Sequence, residues 1–431
     1  MQAVILAGGL GTRMKEVAPN IPKPMLPIGD KPLLEHQIML LHRYGIKDIV
    51  FIVNHLKELI RLYFGNGDQW GVEISYYEEK NPLGTVGGIK AIEDFLTDDF
   101  IVLYGDVMVD MNIARLIDFH HRTKSDCTLV LHPNDHPHDS DLVELDLNSQ
   151  IVAFHPKPRT ITNYYRNLVN AGMYVMSKKV LAHLEKNKKA DFGKDVFPVI
   201  LNKIKMMGYN TSEYLKDMGT PERLEQVDMD YDSGKIQNRN FEKRQRAIFL
   251  DRDGVINIDK DLVATPEELE VYPYAASAIR KINESGYLAI VITNQSVVAR
   301  NLCTESGLRL IHNKLDSVLG ADHAKLDGLY YCPHHPDGGF PEENPAYKTD
   351  CRCRKPKPGM LLDAARDFNI DLSQSWFIGD TDRDMVAGKT AGVKTIGVKT
   401  GRGKKGYSAM PDFIFDDLVA AVEFILNGGI K

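Results

Sequence analysis

The sequence predicts an α/β protein built as two doubly wound domains. The chain opens on an apolar run, Ala3–Leu6, that ends in Gly8-Gly9, and a second apolar run, Ala247–Leu250, ends in Asp251-Arg252-Asp253-Gly254. After each start, strand-length apolar runs alternate with segments of helical spacing. Between the two series lies a polar, charged stretch, Asp232–Gln245, with one glycine. A chain of 431 residues is also too long for one ordinary core, given roughly 150 residues per domain. The expected division is 1–232, a linker at 233–245, and 246–431.

In order, Ala3–Leu6 reads as a strand and Pro32–Tyr44 as a helix, with Leu33, Leu34, Ile38 and Leu41 on one face and Gly45 as the stop. Asp48–Val53, Ile101–Tyr104, Asp126–His132 and Asn170–Met176 read as strands of a mostly parallel sheet with helices on both faces. After the linker come strand 247–250, a helix near 273–285, strand Leu288–Thr293 and a helix near 304–318. A loop rich in Cys, His, Pro and Gly spans about 332–358. A helix at 359–368, strand Trp376–Ile378, a helix near 384–391 and strand Lys394–Val398 complete the series.

The net charge of −6 gives no bulk electrostatic case for nucleic acid or an anionic membrane. No stretch is apolar enough to span a bilayer. The start, MQAVILAGG, lacks a charged n-region and is expected to be a folded strand, not a signal peptide. Five cysteines make no disulfide framework, and three of them fall within 22 residues, as metal ligands in a reducing compartment do. The cytoplasm is the expected location. Oligomeric state, a homo-oligomer included, stays open.

Leu6-Ala7-Gly8-Gly9-Leu10-Gly11-Thr12-Arg13 follows a strand directly. Such glycines let backbone N–H groups approach a phosphate chain. Arg13 and Lys23 can neutralise charge on an attacked phosphorus and a departing pyrophosphate. The spacing fits neither a Rossmann fingerprint nor a P-loop. With Lys23-Pro-Met-Leu-Pro27 downstream, the string resembles the sugar-phosphate nucleotidyltransferases, whose fold is Rossmann-like and GT-A-like. Asn81-Pro-Leu-Gly84-Thr85 looks like their base- and ribose-facing loop. Asp106 and Asp217 look like their Mg²⁺ aspartates, and Asn170-Ala171-Gly172 like a sugar-contacting turn. The resemblance spans about 1–230. It implies attack by a sugar 1-phosphate oxygen on the α-phosphorus of a nucleoside triphosphate. One departure falls on the sugar contacts: the family often has Glu-Lys-Pro where this chain reads His155-Pro156-Lys157-Pro158. The histidine-rich segment His132–Asp141 reads either as a polar loop or as a sugar-phosphate contact.

In the second half, Cys332, His334, Cys351 and Cys353 form two close ligand pairs bridged by sixteen residues. This set suits a closed, structural Zn²⁺ site, with His335 as the competing imidazole. Asp251 and Asp253, then Thr293-Asn294, Lys355 and Asp380, all at strand ends or in the loops beyond them, resemble the haloacid-dehalogenase (HAD) phosphatases over about 246–428. The resemblance implies Asp251 as nucleophile and Asp253 as general acid and base. It implies Thr293 and Asn294 as phosphoryl holders, with Mg²⁺ at Asp251, the Asp253 carbonyl and Asp380. The zinc loop with Arg354-Lys355-Pro356 resembles the D-glycero-D-manno-heptose 1,7-bisphosphate 7-phosphatases and the histidinol-phosphate phosphatases. Asn294-Gln295-Ser296 leans to the former. Val255, Val297 and Asp261-Leu262-Val263 depart from the family pattern and are expected near substrate-facing loops.

A phosphatase that yields a sugar 1-phosphate would feed a nucleotidyltransferase that consumes one. The pair implies a bifunctional enzyme acting on small molecules, with GTP and an α-heptose expected and GDP-heptose as product. The rivals are the same two chemistries on another bisphosphate or histidinol phosphate with a different triphosphate, and a module that binds without turnover.

Overall fold

The structure, a computed structural model, describes residues 1–9, 19–54, 56–159, 163–338 and 343–429. The chain divides into two compact units. The first takes Met1–His132, Val143–Pro156 and Leu168–Glu242; the second takes Pro133–Leu142, Lys157–Asn167 and Lys243–Lys431.

The first unit is built on a nine-stranded mixed sheet. Its strands are β1 (Gln2–Leu6), β2 (Asp48–Val53), β3 (Glu73–Glu78), β4 (Asp99–Tyr104), β6 (Cys127–His132), β7 (Leu142–Leu145), β8 (Ile151–His155), β9 (Val169–Ser177) and β10 (Met206–Asn210). The order is β8-β7-β9-β4-β1-β2-β3, with β6 paired to both β9 and β10. The β4-β1-β2-β3 part is parallel, as the alternation of apolar strand and helix predicts. The sheet is less uniformly parallel than expected, because β9 runs antiparallel to β4 and β6. A two-stranded ladder pairs β5 (Val107–Asp110) with β11 (Tyr214–Asp217). Helix α1 (Leu33–Arg43) buries Leu33, Leu34, Ile38 and Leu41, and Gly45, at φ 75°, ends it; α2 (Lys57–Phe64) and α3 (Ile113–Thr123) follow.

The stretch 233–245 is more ordered than a polar linker. Helix α4 (Pro221–Asp232) is followed by a helical turn at Lys235–Asn238, and Ile236, Asn240 and Phe241 are buried. The polar loops Pro133–Leu142 and Lys157–Asn167 also group with the second unit, so neither unit is one continuous segment.

The second unit has a six-stranded parallel sheet, ordered β14-β13-β12-β15-β16-β17. Its strands are β12 (Arg246–Leu250), β13 (Tyr287–Asn294), β14 (Gly328–Cys332), β15 (Trp376–Gly379), β16 (Lys394–Val398) and β17 (Phe413–Phe415). Helices α5 (Ala275–Glu284), α6 (Glu305–Ala321), α7 (Gly359–Asp367), α8 (Asp382–Ala391) and α9 (Leu418–Leu426) connect or follow the strands. Ala247, Ile248, Phe249 and Leu250 are fully buried, as a central strand covered on both faces requires. Val255 and Val297 lie in this core and not on a substrate-facing surface. No described helix is long and apolar enough to cross a membrane.

Candidate active sites

In the first unit, Leu6 ends β1, and Ala7 N–H donates to the Ile52 carbonyl at 2.8 Å. Gly105 is needed where the chain turns after β4: a Cβ there would stand 2.8 Å from the Leu6 carbonyl oxygen. Gln37 donates to the carbonyls of Tyr104 and Val107 at 3.0 and 2.7 Å, fixing the corner that presents Asp106. Lys23 Nζ lies 3.5 Å from Asp106 Oδ2. Met218 N–H donates to the Asp106 carbonyl at 2.9 Å, which brings the Asp217 strand end beside it. Arg223 donates to both Asp217 oxygens at 2.6 and 2.7 Å. Gly8 and Gly9 follow β1 as expected. Gly11, Thr12 and Arg13 lie outside the described residues.

Gly84 adopts φ 78°, and a Cβ there would fall 2.3 Å from the Ala190 carbonyl oxygen. Thr85 Oγ1 donates to Asp191 Oδ2 at 3.2 Å and accepts from Phe192 N–H at 2.9 Å. Asn170 donates to the Tyr174 hydroxyl at 3.0 Å and accepts from Gly172 N–H at 3.1 Å, a tight turn with Gly172 at φ 72°. Where the family's glutamate is missing, His155 Nε2 lies 3.0 Å from Glu144 Oε2, so a carboxylate is present on the neighbouring strand. Sequence reading also passed over Glu79. It is buried beside the positions a Cβ would take at Gly8 and Gly88. Burial raises its carboxyl, against N–H donors from Leu83 and Gly88.

In the second unit the candidates converge at the carboxyl ends of the parallel strands, where α/β sheets hold ligands. Asp251 follows β12, Thr293 and Asn294 end β13, Cys332 ends β14 and Asp380 follows β15. They line or adjoin a cavity of about 380 Å³, whose wall also carries Arg300, His335, Arg354, Arg383 and Arg402. Lys355 is 3% exposed. Its Nζ lies 2.9 Å from Asp251 Oδ1 and 2.7 Å from Asp384 Oδ1, and donates to the Ile292 carbonyl at 2.9 Å. Its backbone N–H donates to Asn294 Oδ1 and its carbonyl accepts from Asn294 Nδ2, each at 3.0 Å.

Asp251, Asp380 and Asp384 present oxygens within 4.8 Å of one another. Gly254 and Gly401 are both at positive φ, and a Cβ on either would strike Asp380 Oδ2, at 2.2 and 2.1 Å. Three buried carboxylates against one ammonium leave excess negative charge. Burial, with Asp384 and Asp253 nearby, pushes Asp251 up to about 7 despite Lys355. Burial, with Asp251 and Asp384 nearby, pushes Asp380 up to about 8. That shape and charge fit a divalent cation. Asp384, one turn beyond Asp380 in the sequence, is the member to which sequence reading gave no metal role. Its signal was present as the N-terminal acid of α8, where Thr381 N–H and Oγ1 donate to its Oδ2 at 3.0 and 2.6 Å.

Asp253 differs from its neighbour. Arg252, fully buried, reaches both of its oxygens at 2.9 and 3.0 Å, and Asn257 and Gln295 each donate at 2.8 Å. Burial opposes the charge, but Arg252 and the amide donors outweigh it and hold the carboxyl below the ordinary range. Of the three family departures only Asp261-Leu262 borders the cavity. Asp261 stands at φ 64°, and Arg402 donates to Asp259 and Asp261 at 2.8 and 2.7 Å.

The Cys332, Cys351 and Cys353 sulfurs lie 3.0–3.4 Å apart. Cys332 and Cys353 stand 3.7 and 3.6 Å from His334 Nδ1. A disulfide needs about 2.05 Å, so the thiols are not bonded to each other. The four ligand atoms all lie within 4.8 Å of one another, a group that could hold a metal ion. The close contact of the thiols lowers Cys353 and raises Cys332, so the cluster as it stands favours a single thiolate. His335, the competing imidazole, lines the cavity instead.

Residues 2–234 match the nucleotidyl transferase family, and residues 352–421 match a HAD-hydrolase-like family. Among curated relatives, the D-glycero-beta-D-manno-heptose-1,7-bisphosphate 7-phosphatase of Pasteurella multocida is 42% identical over 159 residues, covering 37% of this chain and 84% of that one. The mannose-1-phosphate guanylyltransferase of Mycobacterium tuberculosis is 33% identical over 225 residues, covering 52% of this chain and 62% of that one. A solved D,D-heptose 1.7-bisphosphate phosphatase from B. bronchiseptica is 35% identical, covering 42% of this chain and 99% of that one, with a TM-score of 0.38.

Proposed function

Since this chain belongs to the nucleotidyl transferase family in its first half, and in its second to the family of D-glycero-beta-D-manno-heptose-1,7-bisphosphate 7-phosphatases, we propose that it is a bifunctional enzyme of nucleotide-activated heptose synthesis. The second module removes the 7-phosphate of D-glycero-D-manno-heptose 1,7-bisphosphate. The first joins the resulting heptose 1-phosphate to a nucleotide, from GTP to GDP-heptose, with release of pyrophosphate. The observation that carries this is the strand-end cavity of the second unit. It sets Asp251, Lys355 and Thr293 beside an arginine-rich wall suited to a second phosphate on the same substrate.

In the phosphatase module Asp253 takes up a proton as the phosphate dianion binds beside it, Asp251 bonds to phosphorus as the ester P–O bond breaks, and Asp253 passes that proton to the leaving oxygen. Asp253 then takes a proton from the water that hydrolyses the aspartyl phosphate. Thr293 and Asn294 hold phosphoryl oxygens, Lys355 keeps Asp251 oriented, and Arg354 faces the rest of the substrate. Asp251, Asp380 and the Asp253 carbonyl, with Asp384 close by, would hold Mg²⁺, which when bound draws charge from the phosphate. Cys332, His334, Cys351 and Cys353 would hold Zn²⁺ and staple the loop that carries Lys355.

In the nucleotidyl module the backbone of Leu6–Gly9 follows the phosphates, with Gly84 and Thr85 at the base and ribose, and the family resemblance assigns Gly11, Thr12 and Arg13 to the nucleotide as well. Asn170 and Gly172 face the sugar. Lys23 and Arg13 offset charge as a heptose 1-phosphate oxygen bonds to the α-phosphorus and pyrophosphate leaves. Asp106 and Asp217 would hold Mg²⁺ there, with Arg223 giving up its place on Asp217. The two domains are 1–232 and 246–431, joined by 233–245, whose part through Glu242 groups with the first compact unit.

The test supplies the purified protein and Mg²⁺ with each anomer of the 1,7-bisphosphate and each of four nucleoside triphosphates. The expected products are phosphate, pyrophosphate and GDP-heptose, with the α-anomer preferred. Phosphate release with no nucleotide sugar from any triphosphate overturns the proposal.

A further inference from the structure

We infer that Gln295 is a positioning residue of the phosphatase site, one amide that fixes both the acid Asp253 and the phosphate-holding Thr293. This rests on the phosphatase function proposed above. Gln295 is 3% exposed and is not part of the cavity wall, so it does not touch substrate. Its Nε2 donates to Asp253 Oδ2 at 2.8 Å and to Thr293 Oγ1 at 2.8 Å. An amide nitrogen carries two protons, and both are committed.

The bond to Thr293 has a directional consequence. A hydroxyl that accepts an N–H keeps its own proton free to donate. Thr293 lines the cavity, so that proton is available to a phosphoryl oxygen. The bond to Asp253 acts together with Arg252 and Asn257, which reach the same carboxylate. Of these three residues Gln295 alone also contacts Thr293. Its backbone N–H donates to the Cys332 carbonyl at 2.7 Å, so the amide is carried by the strand pair that ends in the thiol cluster. The acid and the phosphoryl holder therefore meet at the side chain of one residue whose backbone is held by the metal-cluster strand.

In the chemical step Asp253 transfers a proton to the ester oxygen as the P–O bond breaks and the bond from Asp251 to phosphorus forms. An alkoxide leaving group needs that proton, whereas p-nitrophenolate departs without it. Misplacing Asp253 therefore harms the two substrates unequally. In Gln295→Leu, turnover of the heptose bisphosphate is expected to fall about 100-fold, the scale of a general acid. Turnover of p-nitrophenyl phosphate should fall at least about tenfold less than that, with KM for both little changed. Gln295→Met, longer and more flexible, is measured beside it. The zinc content and unfolding midpoint of each variant show which has kept its fold. Equal loss on both esters, or no loss on either, in a folded variant overturns the role of Gln295. A wild-type protein that hydrolyses neither ester overturns the phosphatase function itself.

Discussion

Among the described residues Lys355 is the single cation paired within a cluster of three buried carboxylates, and its removal is the sharpest perturbation the second unit offers. Lys355→Met keeps most of the stem packed beside the Phe377 ring, 5.5 Å from Nζ, and deletes the charge. Two ion pairs disappear, at 2.9 Å to Asp251 and 2.7 Å to Asp384, and the Ile292 carbonyl loses its donor. Breaking a buried pair by removing one partner costs about 3–5 kcal/mol, because the charges left behind are uncompensated. For a unit of this size that corresponds to a midpoint lower by roughly 6–20 °C. The chain has two tryptophans, Trp70 and Trp376, one in each unit. Thermal unfolding followed by fluorescence in a Trp70→Phe background therefore reports the second unit. Millimolar Mg²⁺ should return part of the loss, since a divalent ion replaces the missing positive charge. A Lys355→Met midpoint within about 3 °C of the parent, with no response to Mg²⁺, would refute the electrostatic account.

Other perturbations test the remaining parts. Gly84→Ala would set a Cβ 2.3 Å from the Ala190 carbonyl at φ 78°. Nucleotidyl transfer should fall at least about tenfold while phosphate release is unchanged, by coupled assays of each half-reaction. Glu213 is buried and accepts from the N–H groups of Asn112 and Phe241, and burial pushes its carboxyl up to about 7 from an ordinary 4.5. The folded form holds the proton more tightly, so this contribution is complete below pH 4.5 and is lost as pH rises through about 7. Relative to Glu213→Gln, the wild-type protein should lose up to about 3 kcal/mol over that window in urea titrations. Cys351→Ser, or a chelator, should release one zinc per chain and lower the second unit's unfolding midpoint. Nucleotidyl transfer from supplied heptose 1-phosphate should persist.

The two strand-first starts were legible because a central parallel strand must be apolar throughout, and the residue after it is free to be polar. That is why Asp251 and the Gly8 turn could be read directly as strand ends, while the Cys332–Cys353 spacing pointed to residues that the fold brings together in a group able to hold a metal ion. Asp384 was harder, since the same acid that caps a helix also faces Lys355, and spacing cannot separate the two roles. The loops Pro133–Leu142 and Lys157–Asn167 carry no periodicity that would show which unit they join. Asn167 N–H donates to Asp316 Oδ2 at 3.1 Å and Lys325 donates to the Pro133 carbonyl at 3.3 Å. Such single polar contacts leave no trace in a hydrophobic pattern. The 233–245 stretch was misleading for the opposite reason: two buried apolar residues, Ile236 and Phe241, anchor a segment whose composition is polar. Val255 and Val297 stood out as departures from a family pattern, yet their surroundings are core.

The central claim is that one module supplies the substrate of the other. The most direct measurement gives heptose 1,7-bisphosphate, GTP and Mg²⁺ to Asp251→Asn alone, to Asp106→Asn alone, and to an equal mixture of the two, with products identified by mass. Asp251→Asn should leave the bisphosphate intact yet form GDP-heptose from supplied heptose 1-phosphate. Asp106→Asn should stop at heptose 1-phosphate, and the mixture should restore GDP-heptose. Formation of a nucleotide sugar from the bisphosphate by Asp251→Asn alone would contradict the account.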